Sequence, residues 1–267
     1  MDLEYRHLLK TVLQGSRVKT RNHRVYRCVN LPEFRIDKTP LITARKAAWK
    51  KALKELEWFL SGDTKCPDHL LDWWNGQLNP KGHYLLGYGW QWRGKDRHDQ
   101  IKHLLHSLNH HPNSRRHILT TWNPRDMVDI MEVNENPKTP TTCHGTMTQF
   151  FVVGDRLHMN HYQRSADMLL GLPHNLMQYW ALLLFLARHS CLMPGTINYK
   201  LGDAHIYDEP SHLQAANEIM NADIQDFDGE LVYVPSLIQN TPKFSAEDFY
   251  MKGDIPDPIC TVRPTLL

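Results

Sequence analysis

The longest apolar run in the chain extends from Leu176 to Met193 and most constrains its fold. It is about as long as a membrane span, but it contains Gln178, Arg188 and His189, and no second run resembles it. A helix that is apolar on all sides must be covered by other elements of a core. The run therefore predicts the buried central helix of a soluble protein, and we expect no membrane span.

Apolar spacing and turn residues predict the elements around this helix. Gly62-Asp63 ends one helical pattern, and Gly154-Asp155 indicates a tight turn between two strands. Helices are predicted over 4–14, 46–60 and 100–111, and strands over 118–122, 150–153, 157–162, 205–207 and 231–234. The stretch 16–27 reads as a loop running into a strand, and 123–140 as irregular. Strands mixed with helices, without regular βαβ alternation, indicate an α+β fold, which we expect to form one domain over 1–267.

The charge and cysteine content exclude several classes of protein. Lys and Arg number 31 against 29 Asp and Glu, and a net charge of +2 is too small for a sequence-blind nucleic-acid binder. The five cysteines are odd in number and contain no C-x-x-C pair, so neither a disulfide framework nor a zinc knuckle is indicated. Since the first ten residues resemble no secretory signal, we expect a cytoplasmic protein without a nucleic-acid partner.

Cys143 differs from the other cysteines in its neighbours. His144 follows it, and Gln163-Arg164-Ser165 lies one strand turn downstream, where a hairpin would return a guanidinium group to the thiol. A nearby cation raises the thiolate fraction, and the thiolate is the nucleophilic form. The other four cysteines have the ordinary interpretation of small buried apolar residues. Cys143 is therefore the candidate nucleophile.

Two further patterns are each open to two interpretations. Glu55 lies beside the apolar face of the helix predicted over 46–60, as either a rim residue or a buried acid with a chemical role. His103, His106, His110 and His111 cluster on the helix predicted over 100–111. No carboxylate or cysteine completes a ligand set at a recognisable spacing, which favours a solvated surface over a metal site. We expect no metal.

Adjacent arginines form another candidate group. Arg115 and Arg116 have the usual interpretation of surface charges. Together with Arg21 and Arg164 they would also supply planar, bidentate donors, which suit a phosphate dianion better than ammonium groups do.

An ordered series of motifs resembles the thymidylate synthases and their pyrimidine hydroxymethylase relatives. The motifs are Glu55-Leu56-Glu57-Trp58-Phe59-Leu60, Tyr88-Gly89, Ser114-Arg115-Arg116, Cys143-His144, Gln163-Arg164-Ser165-x-Asp167, Gly171-Leu172-Pro173-x-Asn175 and Gly202-Asp203-x-His205-x-Tyr207. Their order and approximate spacing hold from about residue 5 onwards. The resemblance implies one α+β domain with a large mixed sheet, paired back to back in a homodimer. Arg115 and Arg116 would then complete the phosphate site of the partner subunit.

The resemblance also implies a role for each matching residue. Cys143, beside Arg164, adds to C6 of the pyrimidine, and C5 then attacks the methylene of the co-substrate 5,10-methylenetetrahydrofolate. Glu55, Tyr88 and His144 manage the protons. The implied nucleotide contacts are Arg21, Arg115, Arg116, Gln163, Arg164, Ser165, Asn175, His205 and Tyr207. The implied folate contacts are Trp74, Asp167, Gly171, His174 and Leu267.

Asn175 implies the identity of the base. A carboxamide accepts the N3–H of uracil and donates to O4, whereas relatives that act on dCMP carry Asp at this position. The expected substrate is therefore dUMP.

The residues around the expected folate pocket depart from the usual synthase pattern. Pro140-Thr141-Thr142 stands where synthases have a run ending Pro-Pro, Leu85-Leu86-Gly87 replaces Gly-Pro-Val, and His174 replaces Phe. We interpret these departures as favouring water over hydride as the final acceptor, which gives 5-hydroxymethyl-dUMP, as in a phage enzyme acting in its host's cytoplasm. The alternatives are a thymidylate synthase that makes dTMP and dihydrofolate, and an inactive relative that binds nucleotide or RNA.

Overall fold

Two long neighbouring strands lie at the centre of the fold. The computed structural model describes residues 1–20, 23–94, 99–236 and 242–262. β6 (Arg156–Asp167) and β7 (Met193–Tyr207) run parallel. The helix α6 (Leu172–His189) connects them, as parallel neighbours require a crossover. Along much of both strands buried residues alternate with more exposed ones, so one face of the sheet carries the core.

Shorter strands extend this sheet by antiparallel pairing. They are β1 (Ser16–Lys19), β2 (Arg24–Cys28), β3 (Phe34–Ile36), β4 (Ile118–Leu119) and β5 (Met147–Val153). The order is β1-β2-β7-β6-β5-β4, and β3 also pairs with β7. A second, two-stranded sheet consists of β8 (Glu230–Tyr233) and β9 (Phe249–Lys252). The seven-stranded sheet is therefore mixed, which confirms the α+β prediction.

Helices pack around this sheet. Besides α6 they are α1 (Asp2–Leu13), α2 (Trp49–Ser61), α3 (Tyr88–Arg93), α4 (Gln100–His110), α5 (Pro124–Val133) and α7 (Pro210–Asn221). α6 is buried on nearly all sides, between the sheet and α2, and this confirms the central helix. No helix in the described ranges is long and apolar enough to cross a membrane.

The prediction of an irregular segment over 123–140 was wrong, because α5 occupies its first part. The Asn123 side chain accepts the Arg125 amide at 3.2 Å, and Pro124 stands at the first helical position. Met127 and Ile130 lie three residues apart and are both buried. Cap and spacing were thus present in the sequence, although charged residues on the exposed face obscured them.

Other boundaries also differ from the predictions. The stretch 16–27 was expected to be a loop running into a strand, but its first part is already a strand, because β1 occupies Ser16–Lys19 and pairs with β2. The strand predicted over 118–122 ends at Leu119. Thr120 leaves the ladder because its amide donates to the Gln100 side chain at 2.9 Å. The strand predicted over 205–207 is the end of the much longer β7. The spacing of apolar residues did not predict the helix α7.

Candidate active site

Cys143 lies on the segment that leads into β5, beside the end of β6. The Ser165 amide donates to the Cys143 carbonyl at 3.3 Å. The Arg164 guanidinium donates to the Thr142 carbonyl at 3.2 Å and to the Thr141 hydroxyl at 2.9 Å. The β5–β6 hairpin therefore returns Arg164 to the cysteine loop, as predicted, and its contacts are with the two residues that precede the thiol.

Tyr88, at the start of α3, touches the thiol directly. Its hydroxyl accepts the Cys143 amide at 2.9 Å and lies 3.2 Å from Sγ. The pKa of Tyr88 is held well above its ordinary value, mainly by burial and secondly by the neighbouring Cys143. The hydroxyl therefore keeps its proton at neutral pH, and once Cys143 is a thiolate the hydroxyl is the donor in the contact with Sγ, since a thiolate has no proton to give. This contact stabilises the negative charge of a thiolate.

We expect Tyr88→Phe to slow both turnover and alkylation of Cys143 by iodoacetamide by about tenfold, because one hydrogen bond to the sulfur is lost. Rates of alkylation in the absence of substrate measure this effect separately from catalysis. Tyr84→Phe is a matched control, since the Tyr84 hydroxyl donates to the Pro140 carbonyl at 2.8 Å. Equal alkylation rates in Tyr88→Phe and the wild type would contradict the assignment.

The His144 ring packs against the ring of Tyr88. Their rings stack with centroids 4.2 Å apart, and His144 Nδ1 lies 2.9 Å from the Tyr179 hydroxyl. Burial lowers the pKa of His144 to about 3, so the ring is neutral at pH 7 and supplies no cation to the thiol. Gly145 follows with φ +65°, and a Cβ there would lie 2.6 Å from the Tyr179 hydroxyl. Glycine is therefore required for this packing.

Glu55 is a buried acid. It lies on α2 one turn before Phe59, whose ring stacks on Tyr88 at 4.4 Å. Trp74 Nε1 donates to Oε1 at 2.6 Å, and Gln178 Nε2 donates to Oε2 at 2.8 Å. Burial raises the pKa of Glu55 to about 7, although both hydrogen bonds oppose the rise. A carboxyl group with this pKa exchanges protons readily at neutral pH.

A chain of amide side chains joins Glu55 to Asn175. Asn175 Nδ2 donates to Gln178 Oε1 at 3.0 Å, and Gln163 Nε2 donates to Asn175 Oδ1 at 3.1 Å. Gln163 also reaches the Ser165 carbonyl at 2.9 Å, which connects the chain to the Cys143 loop. Gln178 is not among the site residues predicted from the sequence. Its signal was a polar residue inside the apolar run.

Of the residues expected to contact folate, Asp167, Gly171 and His174 lie at the end of β6 and the start of α6, whereas Trp74 lies against Glu55 of α2. Asp167 Oδ1 accepts the backbone amides of Leu169 and Leu170 at 2.8 and 3.0 Å. His174 Nε2 accepts the Ala48 amide at 3.2 Å. The pKa of His174 is lowered to about 3, mainly by burial and secondly by the positive charge of Arg45. This ring is therefore neutral. Leu267 lies outside the described residues.

The remaining nucleotide residues fall into two places. His205 and Tyr207 lie at the end of β7, where His205 pairs with Asp167 and the two rings are 5.5 Å apart. Burial raises the pKa of Tyr207 to about 12, so the hydroxyl is protonated at neutral pH. Arg115 and Arg116 are exposed and precede β4, two strands away from β6. Within the single chain, the structure does not bring them to the cysteine. Arg21 lies outside the described residues.

The histidines of α4 lie away from this cluster. His103, His106, His110 and His111 are exposed, as expected of a solvated helix surface. Among the described residues no group of three or more His, Cys, Asp or Glu side chains could hold a metal ion. A cavity of about 780 Å³ is lined by His106, His110 and Arg188, among other residues. At 1.5 Å per residue it is roughly 20 Å along α6 from Asn175.

The comparison with known families agrees with this geometry. The family model described as "Thymidylate synthase" matches residues 3–263. The matched range includes the cysteine loop, the buried acid and the amide chain. The chain belongs to the thymidylate synthase family, which carries out folate-dependent one-carbon transfer to C5 of dUMP.

Proposed function

We propose that this protein, a single catalytic domain over 1–267, is a cytoplasmic dUMP hydroxymethylase that acts through a covalent bond between Cys143 and C6 of the base. The main support is one connected set of contacts. Tyr88 lies 3.2 Å from Cys143 Sγ, and Asn175 is tied to both the Cys143 loop and Glu55. A thiol, a base-reading amide and a buried acid in one network match the needs of nucleophilic addition to a pyrimidine.

In the first step the Cys143 thiolate adds to C6, and the C5–C6 π electrons move towards C5 and O4. The amide nitrogen of Asn175 donates to O4 and stabilises the developing charge. Tyr88 holds the sulfur before the addition. Folate, when bound, supplies the methylene that C5 attacks.

Proton transfer is assigned to Glu55. Its pKa of about 7 lets it hold and release a proton at neutral pH, and Gln178 links it to Asn175 on the O4 edge of the base. His144 is neutral and acts in this scheme as a positioning residue behind Tyr88. Loss of the C5 proton and departure of tetrahydrofolate from the transferred carbon leave an exocyclic methylene on C5. Water adds to this methylene, and the thiolate then leaves C6 as the C5–C6 double bond forms again.

Polar groups near the thiol support water as the final acceptor. Thr141 and Thr142 take the place of a proline pair, and the Thr141 hydroxyl accepts from Arg164 at 2.9 Å. The alternative product is dTMP. It is favoured by His174, whose Nε2 already accepts the Ala48 amide and so does not orient water through that atom. An inactive nucleotide- or RNA-binding relative is the alternative of another class.

We place the folate against Trp74, Asp167, Gly171 and His174, and Leu267, the fifth expected folate contact, lies outside the described residues. Gly171 supports this placement. Its φ is −78°, and an added Cβ would meet nothing closer than 3.6 Å. The fold itself therefore does not require glycine here, and the missing side chain leaves room for a ligand.

The test is to incubate the protein with dUMP and methylenetetrahydrofolate, follow dihydrofolate by absorbance and weigh the nucleotide by mass spectrometry. A hydroxymethyl product without dihydrofolate supports the proposal. dTMP with stoichiometric dihydrofolate identifies a synthase instead. Absence of tritium release from C5-labelled dUMP would leave only the inactive binding protein.

A homodimer completes the proposed site. The outer face of the sheet carries Ile118, Met147 and Tyr162, which are 43%, 48% and 38% exposed. Met147 and Tyr162 are register partners, and Ile118 pairs with Gln149 on the same face, so these side chains form one apolar patch. A second copy placed back to back covers it. Arg115 and Arg116 precede β4 at the edge of this face and reach the partner's phosphate site.

Mixing two inactive variants tests this sharing. We expect Cys143→Ser and Arg116→Ala homodimers to be nearly inactive. After reversible unfolding together, heterodimers contain one site with both an intact cysteine and an intact arginine, so about one quarter of wild-type activity returns. The control uses Arg125→Ala in place of Arg116→Ala. Arg125 is an exposed residue of α5, so this variant should be active without mixing. No recovery in the mixture would contradict arginine sharing.

A further inference from the structure

We propose that Gln178 is a specificity-determining residue, which holds the carboxamide of Asn175 in the one orientation that accepts uracil and rejects cytosine. The inference rests on the proposed function, because it assumes that Asn175 reads the base. It concerns a residue whose side chain is buried behind Asn175, with 1% of Gln178 and 7% of Asn175 exposed.

The orientation of Gln178 is set by a backbone group. Its Nε2 lies 3.0 Å from the Ala52 carbonyl, which only accepts hydrogen bonds. The same nitrogen donates to Glu55 Oε2 at 2.8 Å. Oε1 of Gln178 must then face Asn175, where it accepts Nδ2 at 3.0 Å.

A second backbone group sets the other side of Asn175. Gln163 Nε2 donates to the Ser165 carbonyl at 2.9 Å, and the Tyr199 hydroxyl donates to Gln163 Oε1. Gln163 therefore presents an N–H group to Asn175 Oδ1, at 3.1 Å. Rotating the Asn175 amide by half a turn would oppose two N–H groups on one side and two oxygens on the other. In a buried network such mispairing is costly.

This fixed orientation has a direct consequence for the base. Uracil offers a donor at N3 and an acceptor at O4, which match the remaining lone pair of Oδ1 and the remaining hydrogen of Nδ2. Cytosine offers an acceptor at N3 and a donor at N4, so it needs the amide reversed. An asparagine that rotated freely would accept both bases. Gln178, held by its hydrogen bonds to α2, opposes this rotation at the Nδ2 end of the Asn175 amide. Gln163 of β6 opposes it at the Oδ1 end.

The test compares binding of dUMP and dCMP to the full-length protein by titration calorimetry without folate. We expect Gln178→Met to reduce the preference for dUMP over dCMP by about tenfold. This variant loses the hydrogen bond from Asn175 Nδ2 to Gln178, whereas the hydrogen bond from Gln163 to Asn175 Oδ1 remains. The double variant Glu55→Gln/Gln178→Glu should keep the preference, because the carboxylate placed at 178 still accepts Nδ2 of Asn175 and also accepts the amide placed at 55. Gln91→Met is the matched control, as it loses a buried amide on α3 that donates to Asp126.

The outcomes separate the inference from the function on which it rests. An unchanged preference in a folded Gln178→Met protein overturns the inference alone. Loss of the preference in the double variant Glu55→Gln/Gln178→Glu also overturns it, and this variant decides the question if the methionine variant does not fold. A wild-type protein that binds neither nucleotide overturns the proposed function together with the inference.

Discussion

Replacing Cys143 with serine is expected to lower turnover by at least about a thousandfold, because a serine hydroxyl does not ionise near neutral pH and is a far weaker nucleophile. The Tyr88 hydroxyl lies 3.2 Å from Sγ, and as the donor to a thiolate it stabilises an anion that serine does not form. Tritium release from C5-labelled dUMP measures the addition step without dependence on the final product. Mass spectrometry of the denatured protein shows whether a nucleotide adduct has formed.

Cys191→Ser is the matched control for this experiment. Cys191 is the exposed cysteine beyond the far end of α6, beside the cavity at Arg188. We expect this variant to release tritium at the wild-type rate. A Cys143→Ser protein that released tritium at the same rate would refute covalent addition by Cys143.

Replacing Glu55 with glutamine is expected to lower kcat by about 10²–10⁴-fold, the usual range for loss of a general acid or base. The wild-type rate should change with pH around 7, where Glu55 titrates, and the variant should lose this dependence. The amide also places an N–H₂ group against one of two donors, Trp74 or Gln178. Profiles of kcat against pH, measured at saturating dUMP, check the assignment. An unchanged profile would refute it.

The same substitution has a predicted effect on stability. Folding raises the pKa of Glu55 from 4.5 to about 7, so between these pH values the unfolded chain releases its proton first. The wild-type free energy of unfolding therefore falls as pH rises through this window. Above pH 7 the cost of the buried charge is about 3 kcal/mol. Urea unfolding at pH 5 and pH 8 should show this fall in the wild type and a smaller one in Glu55→Gln. Parallel curves would contradict it.

Elements with strong local signals were predictable. The helix predicted over 46–60 is α2, whose apolar positions recur at helical spacing and whose pattern stops at Gly62, a left-handed residue. The β5–β6 hairpin followed from two strand patterns and Gly154, which has φ +61°. That hairpin was sufficient to predict Arg164 beside the cysteine loop. By contrast, α5 and the pairing of β1 with β2 were missed because charged and polar residues obscured their patterns.

The sequence by itself determined the family and the buried central helix, and it predicts Cys143 as the nucleophile, because each depends on residue identity and order along the chain. Only the tertiary structure decided which of two open roles applied to Glu55, since burial raises a carboxyl pKa only when other elements exclude water from it. It also decided the contacts of Gln178. That side chain joins Glu55 on α2 to Asn175 on α6, and contacts between residues so distant in sequence arise only when the helices pack together.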